Sequence, residues 1–312
     1  MNARDGAALL ILSAIWGAAF LFYKIAAPVL GPIALVELRV SIAGVALLLY
    51  TLAIRKRQPL KERWRQYLLV GILNSAIPFT LIAAAELNLT AGLASILNAT
   101  SPLFGAVVAA LWIKEALTLK KVIGLLLGLA GVAVVVGLSP LPFSGVVALS
   151  IGASLTAAAF YGLASVYTKA HVQGASPLAL ATYSQVGAAL FLVPFTAVAP
   201  PQHIPSLAVA LAVVTLGVLC TAVAYLLYFR LIANIGPTRA LTVTFLVPVF
   251  GVLWGVIFLH EPLTWSALLG FGVILLGTGL VTGLLRGRNA QPAEQSGTVE
   301  QPGEPAVSRK KA

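Results

Sequence analysis

Two stretches of the chain place polar residues next to a proline in the middle of a long apolar run. They are residues 98–105 and 244–251, and each has its proline at the fifth position. Within a helix, a proline removes one backbone hydrogen bond and frees the carbonyl four residues earlier, here that of Asn98 or Thr244. Such a carbonyl is costly against lipid but tolerable against protein or a water-filled cavity. The repeated arrangement favours a polar binding cavity over two kinks that only shape helix packing.

Further polar and aromatic side chains in the apolar runs are candidates for the wall of the same cavity. Trp16 and Phe20 share one face at helical spacing, and Tyr161 and Ser165 repeat that spacing in a later run. An aromatic packing stripe would show the same pattern, so both interpretations stay open. The complete predicted substrate pathway consists of Trp16, Phe20, Asn74, Pro78, Asn98, Ser101, Pro102, Tyr161, Ser165, Tyr225, Thr244 and Pro248.

Three charged residues, Glu37, Arg39 and Glu86, lie inside apolar runs. Charges at membrane depth are unfavourable, which makes each of them a candidate functional residue. Glu37 and Arg39 are two positions apart and therefore cannot face each other on one helix. We predict a structural ion pair between Arg39 and Glu86, with a clamp for a substrate carboxylate and a proton site as the alternatives.

The sequence offers little for enzyme chemistry. Asp5 is the only aspartate, and the three histidines lie on separate loops. His260 is not followed by a second histidine at metalloprotease spacing, and no phosphate-binding loop occurs. We therefore predict that the protein is not an enzyme and has no catalytic residue, metal site or cofactor.

The composition predicts a membrane protein. The chain of 312 residues is 60% hydrophobic and only 9% charged, whereas a soluble domain is roughly 25% charged. Ten apolar segments each approach the ~20 residues that cross a bilayer. The predicted segments are 7–27, 32–53, 67–86, 91–113, 121–138, 146–168, 177–198, 206–229, 240–259 and 264–284.

The basic residues predict the orientation. If the N-terminus is cytoplasmic, all Lys and Arg except Lys24 and Arg39 fall on the cytoplasmic side, as the positive-inside rule requires. The net charge of +11 therefore reflects topology and gives no support for a nucleic-acid partner. After Leu285 the composition changes to Gln, Pro, Glu, Ser and Gly, which predicts a disordered cytoplasmic tail over 285–312.

The two halves of the chain repeat each other. Lys24 recurs as Lys169, and Glu115 recurs as Glu261, at an offset of 145 or 146 residues. The predicted repeats, 1–138 and 146–284, hold five segments each. Because five is odd, the second repeat enters the membrane from the opposite side, as in the inverted repeats of secondary transporters. The fold class is therefore an all-α polytopic membrane protein with two inverted five-helix repeats.

The motifs resemble those of the drug/metabolite transporter superfamily, and in particular its bacterial ten-helix EamA family. They are Trp16-Gly17 and residues 91–94, 101–104, 114–118, 247–250 and 260–264. The resemblance implies ten helices in two inverted repeats, two cytoplasmic termini, and export of amino acids or other small metabolites. Tyr161 departs from the pattern because the first repeat has Trp16 at that position.

These observations lead to a functional hypothesis. We predict a multi-pass secondary transporter of the bacterial inner (cytoplasmic) membrane that exports a small-molecule substrate by alternating access through a central cavity. The alternatives are a flippase for lipid or a lipid-linked sugar, and a non-transporting membrane partner or sensor subunit. Besides the lipid bilayer, a homodimer partner stays open, because the glycines of the fifth and tenth segments suit packing either within the chain or between two copies.

Overall fold

The computed structural model describes residues 2–55, 62–137, 144–201, 204–240 and 242–283. In these ranges all regular structure is helical, and nine helices are long and apolar enough to cross a membrane, while a tenth is shorter. We number these ten apolar helices α1 (Ala3–Leu30), α2 (Pro32–Ala53), α3 (Trp64–Ala85), α4 (Ala91–Trp112), α5 (Leu119–Gly137), α6 (Gly145–His171), α7 (Pro177–Val198), α8 (Leu207–Ile235), α9 (Val243–Leu259) and α10 (Trp265–Thr282). The predicted all-α polytopic class is confirmed, whereas the predicted tail lies outside the described residues.

Local sequence sets several helix ends. The hydroxyl oxygens of Thr90, Ser144 and Ser206 each accept a hydrogen bond from the backbone N–H three residues later, at 3.1, 3.3 and 3.4 Å. These caps satisfy amides that have no partner inside the helix. Gly31 has a φ of 75°, which a side chain would disfavour, and it turns the chain directly from α1 into α2. The link between these two helices is therefore one residue long.

Helix α4 is broken where the sequence predicts it. One segment covers Ala91–Asn98, and a second covers Ser101–Trp112. Pro102 lies in the first turn of the second segment, where a missing N–H costs little. The freed carbonyl of Asn98 accepts a hydrogen bond from the Ser101 hydroxyl at 2.6 Å. The polar residue next to the proline therefore satisfies the break.

Helix α9 is not divided at its proline, unlike α4. Pro248 lies inside the continuous helix Val243–Leu259, and a separate short helix, Pro237–Ala240, precedes that helix. Pro248 therefore does not divide α9 in the way that α4 is divided next to Pro102. A proline can stay inside a membrane helix when neighbouring helices satisfy the freed backbone groups, and α9 packs closely against α1.

Helices α3 and α8 each contain a π-helical segment, a feature that the sequence did not predict. The segments are Ile72–Ala76 and Val218–Val223, at corresponding positions of the two halves. A π-helical turn inserts extra backbone, and such turns occur frequently at functional sites. Asn74 lies on the first segment, and Cys220 and Thr221 lie on the second. Both segments therefore contribute side chains to the cavity described below.

Helix α1 lies at the centre of the main apolar core. Leu12, Phe20 and Tyr23 on this helix are buried, and it packs against α9, α8 and α2. Close helix approach depends on Gly17, because a Cβ at that position would lie 2.8 Å from the backbone nitrogen of Gly251 on α9. The two halves of the chain are thus joined along α1 and α9.

Helices α5 and α10 pack against each other through glycines. A Cβ added to Gly277 would lie 2.6 Å from the backbone nitrogen of Gly128, and one added to Gly124 would lie 2.6 Å from the carbonyl oxygen of Gly277. Real Cβ atoms do not approach backbone atoms this closely, so the two helices could not keep their present distance. The glycines therefore serve packing within the chain.

Replacing Gly277 by alanine should lower thermal stability because α5 and α10 would have to move apart. We expect a loss of about 1–3 kcal/mol, the usual cost of overpacking. Gly272→Ala on the same helix is the matched control, since nothing lies within 4 Å of its added Cβ. Thermal unfolding of both variants in detergent checks this. Equal midpoints would show that this contact does not limit stability.

Candidate functional site

A cavity of about 300 Å³ lies between helices from both halves of the chain. Its walls come from α1, α2, α3, α4, α6, α8 and α9. The lining residues are Trp16, Ala19, Phe20, Tyr23, Arg39, Asn74, Phe79, Ile82, Asn98, Ala99, Ser101, Tyr161, Cys220, Thr221, Tyr225, Tyr228, Thr244, Val247 and Pro248. The volume is at the small end of the range for ligand sites, so the cavity suits a small molecule.

Aromatic rings form much of the wall. The ring of Trp16 lies 5.3 Å from that of Tyr228 and 6.4 Å from that of Tyr225. Across the cavity, the rings of Phe79 and Tyr161 are 6.3 Å apart. These separations are typical of favourable aromatic contacts. The rings support one another, and the wall they form is suited to an apolar or aromatic part of a ligand.

Neutral polar groups interrupt this wall near the middle of the helices. The side-chain amide of Asn74 donates a hydrogen bond to the Tyr225 hydroxyl at 3.1 Å, linking the π-helical part of α3 to α8. Asn98 and Ser101 lie at the break of α4. These groups can donate and accept hydrogen bonds. These groups could therefore replace the hydrogen bonds to water that a polar solute loses when it enters the cavity.

Arg39 is the single charged residue in the cavity lining. Its side chain is 4% exposed, and its Nε donates to the Thr221 hydroxyl at 2.9 Å. Its Nη1 donates to the Tyr23 hydroxyl, and the guanidinium carbon lies 3.8 Å from the centre of the Phe79 ring. The contact with Phe79 is a cation–π interaction. Arg39 is therefore held in one position at the edge of the cavity.

The predicted ion pair between Arg39 and Glu86 is wrong. No ion pair joins Arg39 to any described Asp or Glu. Glu86 is fully buried outside the cavity lining, and its carboxylate oxygens have no hydrogen-bond partner among the described residues. Lys24 approaches the same turn, where its Nζ donates to the carbonyl oxygens of Glu86 and Leu89, both at 2.7 Å. Arg39 is directed instead towards Tyr23.

The third intramembrane charge also lies away from the cavity lining. Glu37 accepts a hydrogen bond from the Ser41 hydroxyl at 2.8 Å, one turn along α2. This local bond gives the carboxylate a polar partner on its own helix. Of the three predicted intramembrane charges, the structure thus brings only Arg39 to the cavity.

The structure brings most of the predicted pathway residues together, but it leaves out three of them. Pro78, Pro102 and Ser165 are absent from the cavity lining. The Ser165 hydroxyl donates to the carbonyl oxygen of Gly162 at 2.8 Å and lies next to Gly105, where α6 crosses α4. The two prolines shape their helices from the first turn of a helical segment. For the nine residues that do line the cavity, a role in the pathway stays a prediction.

The sequence did not predict several residues of the wall. Phe79, Cys220 and Thr221 line the cavity although they lie outside the predicted pathway. Phe79 and Cys220 are apolar residues in apolar segments, so the sequence pattern does not distinguish them from residues that face the lipid or the core. Thr221 depends on the π-helical turn, which shifts the face that α8 presents to the cavity. The repeat offset of 146 residues aligns Cys220 with Asn74, and this correspondence could have identified Cys220 as a wall residue.

A carboxylate from the second half of the chain caps the start of α4. Glu261, on the link between α9 and α10, accepts hydrogen bonds from the backbone N–H groups of Ala91 and Gly92 at 2.7 and 3.0 Å. A negative charge at a helix N-terminus is also favourable for the helix dipole. Ser95 on the same segment of α4 also lies close to Gly251 on α9, since a Cβ added to Gly251 would be 2.6 Å from the Cβ of Ser95. The first segment of α4 is thus held against α9.

The counterpart of Glu261 in the first half is bound differently. Glu115 lies on the surface and pairs with Lys121 at 2.7 Å and with Lys169 at 3.3 Å. Hydrogen bonds from these two lysines hold the pKa of the Glu115 carboxyl below its usual value. Its side chain is 41% exposed, so these pairs stabilise the fold only weakly. The two ends of the molecule therefore differ although the sequence repeats.

Comparison with known proteins identifies the family. The model of the EamA-like transporter family matches residues 5–137 and, a second time, residues 148–283. The chain belongs to the EamA-like transporter family. This confirms the resemblance seen in the sequence motifs. It also confirms that the protein is a multi-pass membrane transporter and not an enzyme.

Individual relatives agree with this assignment over most of the chain. An uncharacterized transporter of Archaeoglobus fulgidus is 29% identical over 270 residues, covering 85% of this chain and 94% of the relative. The uncharacterized inner membrane transporter YedA of Escherichia coli is 28% identical over 279 residues, covering 88% and 89%. A solved structure titled "Crystal structure of protein" has a TM-score of 0.64 at 19% identity and covers 92% of this chain and 99% of its own. That structure supports the fold alone.

Proposed function

We propose that the chain exports small metabolites, such as amino acids, by alternating access through the central cavity. The observation that carries the proposal is a cavity with aromatic and polar walls, built by helices of both family matches. Sites at the interface of two repeats are typical of secondary transporters. In a partner or sensor subunit without transport, side chains would fill the central space. Here the described helices leave a cavity of about 300 Å³ with polar groups in its wall.

The orientation proposed from the sequence fits the observed helices. With cytoplasmic termini in a bacterial inner membrane, the link that carries Glu115 is cytoplasmic, and the link that carries Glu261 lies on the opposite side. The ten helices then form two five-helix repeats of inverted topology. The π-helical segments at corresponding positions of α3 and α8 support the repeat. The positive-inside distribution of Lys and Arg supports the orientation.

The packing of α4 supports an inward-facing state. Its first segment, Ala91–Asn98, packs against α9 and is capped by Glu261. Its second segment, Ser101–Trp112, packs mainly against α6 instead. We infer that in this state the cavity is closed on the outer side, where the first segment of α4 meets α9, and opens towards the cytoplasm. An exporter would load its substrate in this state.

Two of the earlier alternatives receive less support. A flippase needs a lateral opening with room for a polar headgroup, whereas the groove between α9 and α10 is lined almost entirely by apolar residues such as Leu268, Leu269 and Leu276. Such a surface is suited to the acyl chains of surrounding lipid. The glycines of α5 and α10 are used within the chain and give no support to a homodimer.

Transport by purified protein in proteoliposomes tests the proposal. A panel of radiolabelled amino acids and small organic acids would be loaded inside or outside the vesicles, with protein-free vesicles as the baseline. We expect saturable flux of at least one solute, reduced when that solute competes in unlabelled form. Folded protein that moves no member of the panel would contradict the proposal.

A further inference from the structure

We propose that the cavity is an anion site in which Arg39 binds a carboxylate or a similar acidic group of the transported solute. The inference rests on the proposed transport function and narrows its substrate class to small organic anions with an apolar or aromatic body. Its basis is the placement of one fixed positive charge in an otherwise neutral cavity.

The charge of Arg39 has no counterion in the described part of the chain. A guanidinium stays protonated under all relevant conditions. Burying such a charge is unfavourable unless an anion compensates it. Hydrogen bonds to the Tyr23 and Thr221 hydroxyls and the contact with the Phe79 ring supply only neutral partners. A bound anion would supply the missing negative charge.

The guanidinium also has unused donors. It carries five N–H groups, and its hydrogen bonds to described residues come from Nε and Nη1 only. Guanidinium and carboxylate groups pair through two parallel hydrogen bonds, which adds geometric selectivity to the charge. Because Nε and Nη1 already fix the orientation, the remaining donors are preorganised for a ligand.

The rest of the wall is compatible with an anion and holds no negative charge that would pair with a cation. The lining contains no Asp or Glu, so an ammonium group would find only neutral partners and would be repelled by Arg39. Trp16, Tyr161 and Tyr228 provide a surface for an apolar body next to the acidic group. We therefore expect small organic acids to bind better than their amide or amine analogues.

A binding experiment on the full chain in detergent tests the charge preference without transport. Benzoate, benzamide and benzylammonium have similar size and differ in charge. We expect benzoate to raise the thermal unfolding midpoint at a concentration roughly tenfold lower than the other two, as a charge interaction of about 1.4 kcal/mol would produce. Equal effects of all three, a preference for benzylammonium, or no effect of any of them would overturn the proposal.

Variants then assign the preference to Arg39. Arg39→Gln should abolish it, whereas Arg39→Lys should keep part of it because the charge remains. Lys24→Gln is the matched control: this cation binds backbone carbonyls of a neighbouring turn and is absent from the cavity lining. If Lys24→Gln removes the preference as well, or if Arg39→Gln retains it, the assignment to Arg39 is wrong.

Cys220 provides a second readout, because it is the only cysteine of the chain and lines the cavity, where it is 1% exposed and can react only with a reagent that has entered the cavity. Two methanethiosulfonate reagents, one with a sulfonate and one with a trimethylammonium group, would be compared for their rates of reaction with Cys220. After correction for reactivity with a free thiol, the anionic reagent should be favoured, and Arg39→Gln should shift the ratio roughly tenfold or more. An unchanged ratio would contradict the proposal, and so would a failure of benzoate to slow the reaction.

The two proposals fail separately. If the anion preference holds but proteoliposomes move no solute, the binding site stands and transport is wrong. If the protein carries only neutral or cationic solutes, transport stands and the anion site is wrong.

Discussion

Replacing Glu261 by alanine should destabilise the protein, because two backbone N–H groups at the start of α4 lose their charged acceptor. The carboxylate accepts hydrogen bonds from the first two N–H groups of α4. A hydrogen bond to a charged acceptor contributes about 1.5–3 kcal/mol. We expect the thermal unfolding midpoint in detergent to fall by roughly 5 °C or more. Glu261→Gln, which keeps the length and loses the charge, should give an intermediate loss.

Glu115→Gln is the matched control for stability, since Glu115 holds the corresponding position in the first half. Its carboxylate forms ion pairs with Lys121 and Lys169 at the surface, and exposed pairs contribute about 1 kcal/mol or less. Its substitution should therefore leave the midpoint nearly unchanged. If Glu261→Ala is as mild as Glu115→Gln, water satisfies the amides of α4 equally well, and the cap contributes little to stability.

The difference between these two glutamates shows what repetition in a sequence can predict. The motifs around Glu115 and Glu261 match, so the sequence alone suggests equal roles. In the structure, only Glu261 reaches the start of a helix from the other half of the chain. In the proposed alternating-access mechanism, one conformation closes one end at a time. Matching residues must therefore have different contacts in any one state, and an asymmetry of this kind lies outside sequence comparison.

The fold followed from the sequence because membrane insertion leaves few choices. A long apolar segment must be helical so that its backbone groups find hydrogen bonds. Helix number and the break near Asn98 were predictable on that basis. The π-helical turns were not, since Val218–Val223 contains no proline or glycine to indicate them. These turns depend on packing between helices, which a local pattern does not encode.

The site was predictable in part for the same reason. Polar residues such as Asn74 and Asn98 were recognisable because insertion into a bilayer does not require them. The hydrogen-bond partners of Arg39 were not predictable, because Glu86 lies at a similar predicted depth in the membrane and is the expected partner for a positive charge. The three-dimensional arrangement places Arg39 against Tyr23, Thr221 and Phe79 instead. Neutral partners of this kind carry no charge pattern from which the pairing could be inferred.

The second large effect is expected at Asn98, where leucine should impair transport far more than stability. The Asn98 side chain lines the cavity, and among the described residues its Oδ1 has only a long contact of 3.4 Å with the Ser101 hydroxyl. The stronger bond of Ser101, at 2.6 Å, is to the backbone carbonyl of Asn98 and survives the substitution. Loss of one hydrogen bond to a solute, about 1.4 kcal/mol, should lower flux in proteoliposomes roughly tenfold.

Asn88→Leu gives the matched comparison. The amide of Asn88 donates to the Ser150 hydroxyl at 3.1 Å, and this residue is absent from the cavity lining. Its substitution should lower the unfolding midpoint and leave the flux per folded molecule near the wild-type value. At Asn98 we expect the reverse, a lower flux with an unfolding midpoint near the wild-type value. That result would assign Asn98 to the transport pathway and not to packing. If Asn98→Leu lowers flux and stability in the same proportion as Asn88→Leu, the break in α4 serves packing, and the solute passes elsewhere.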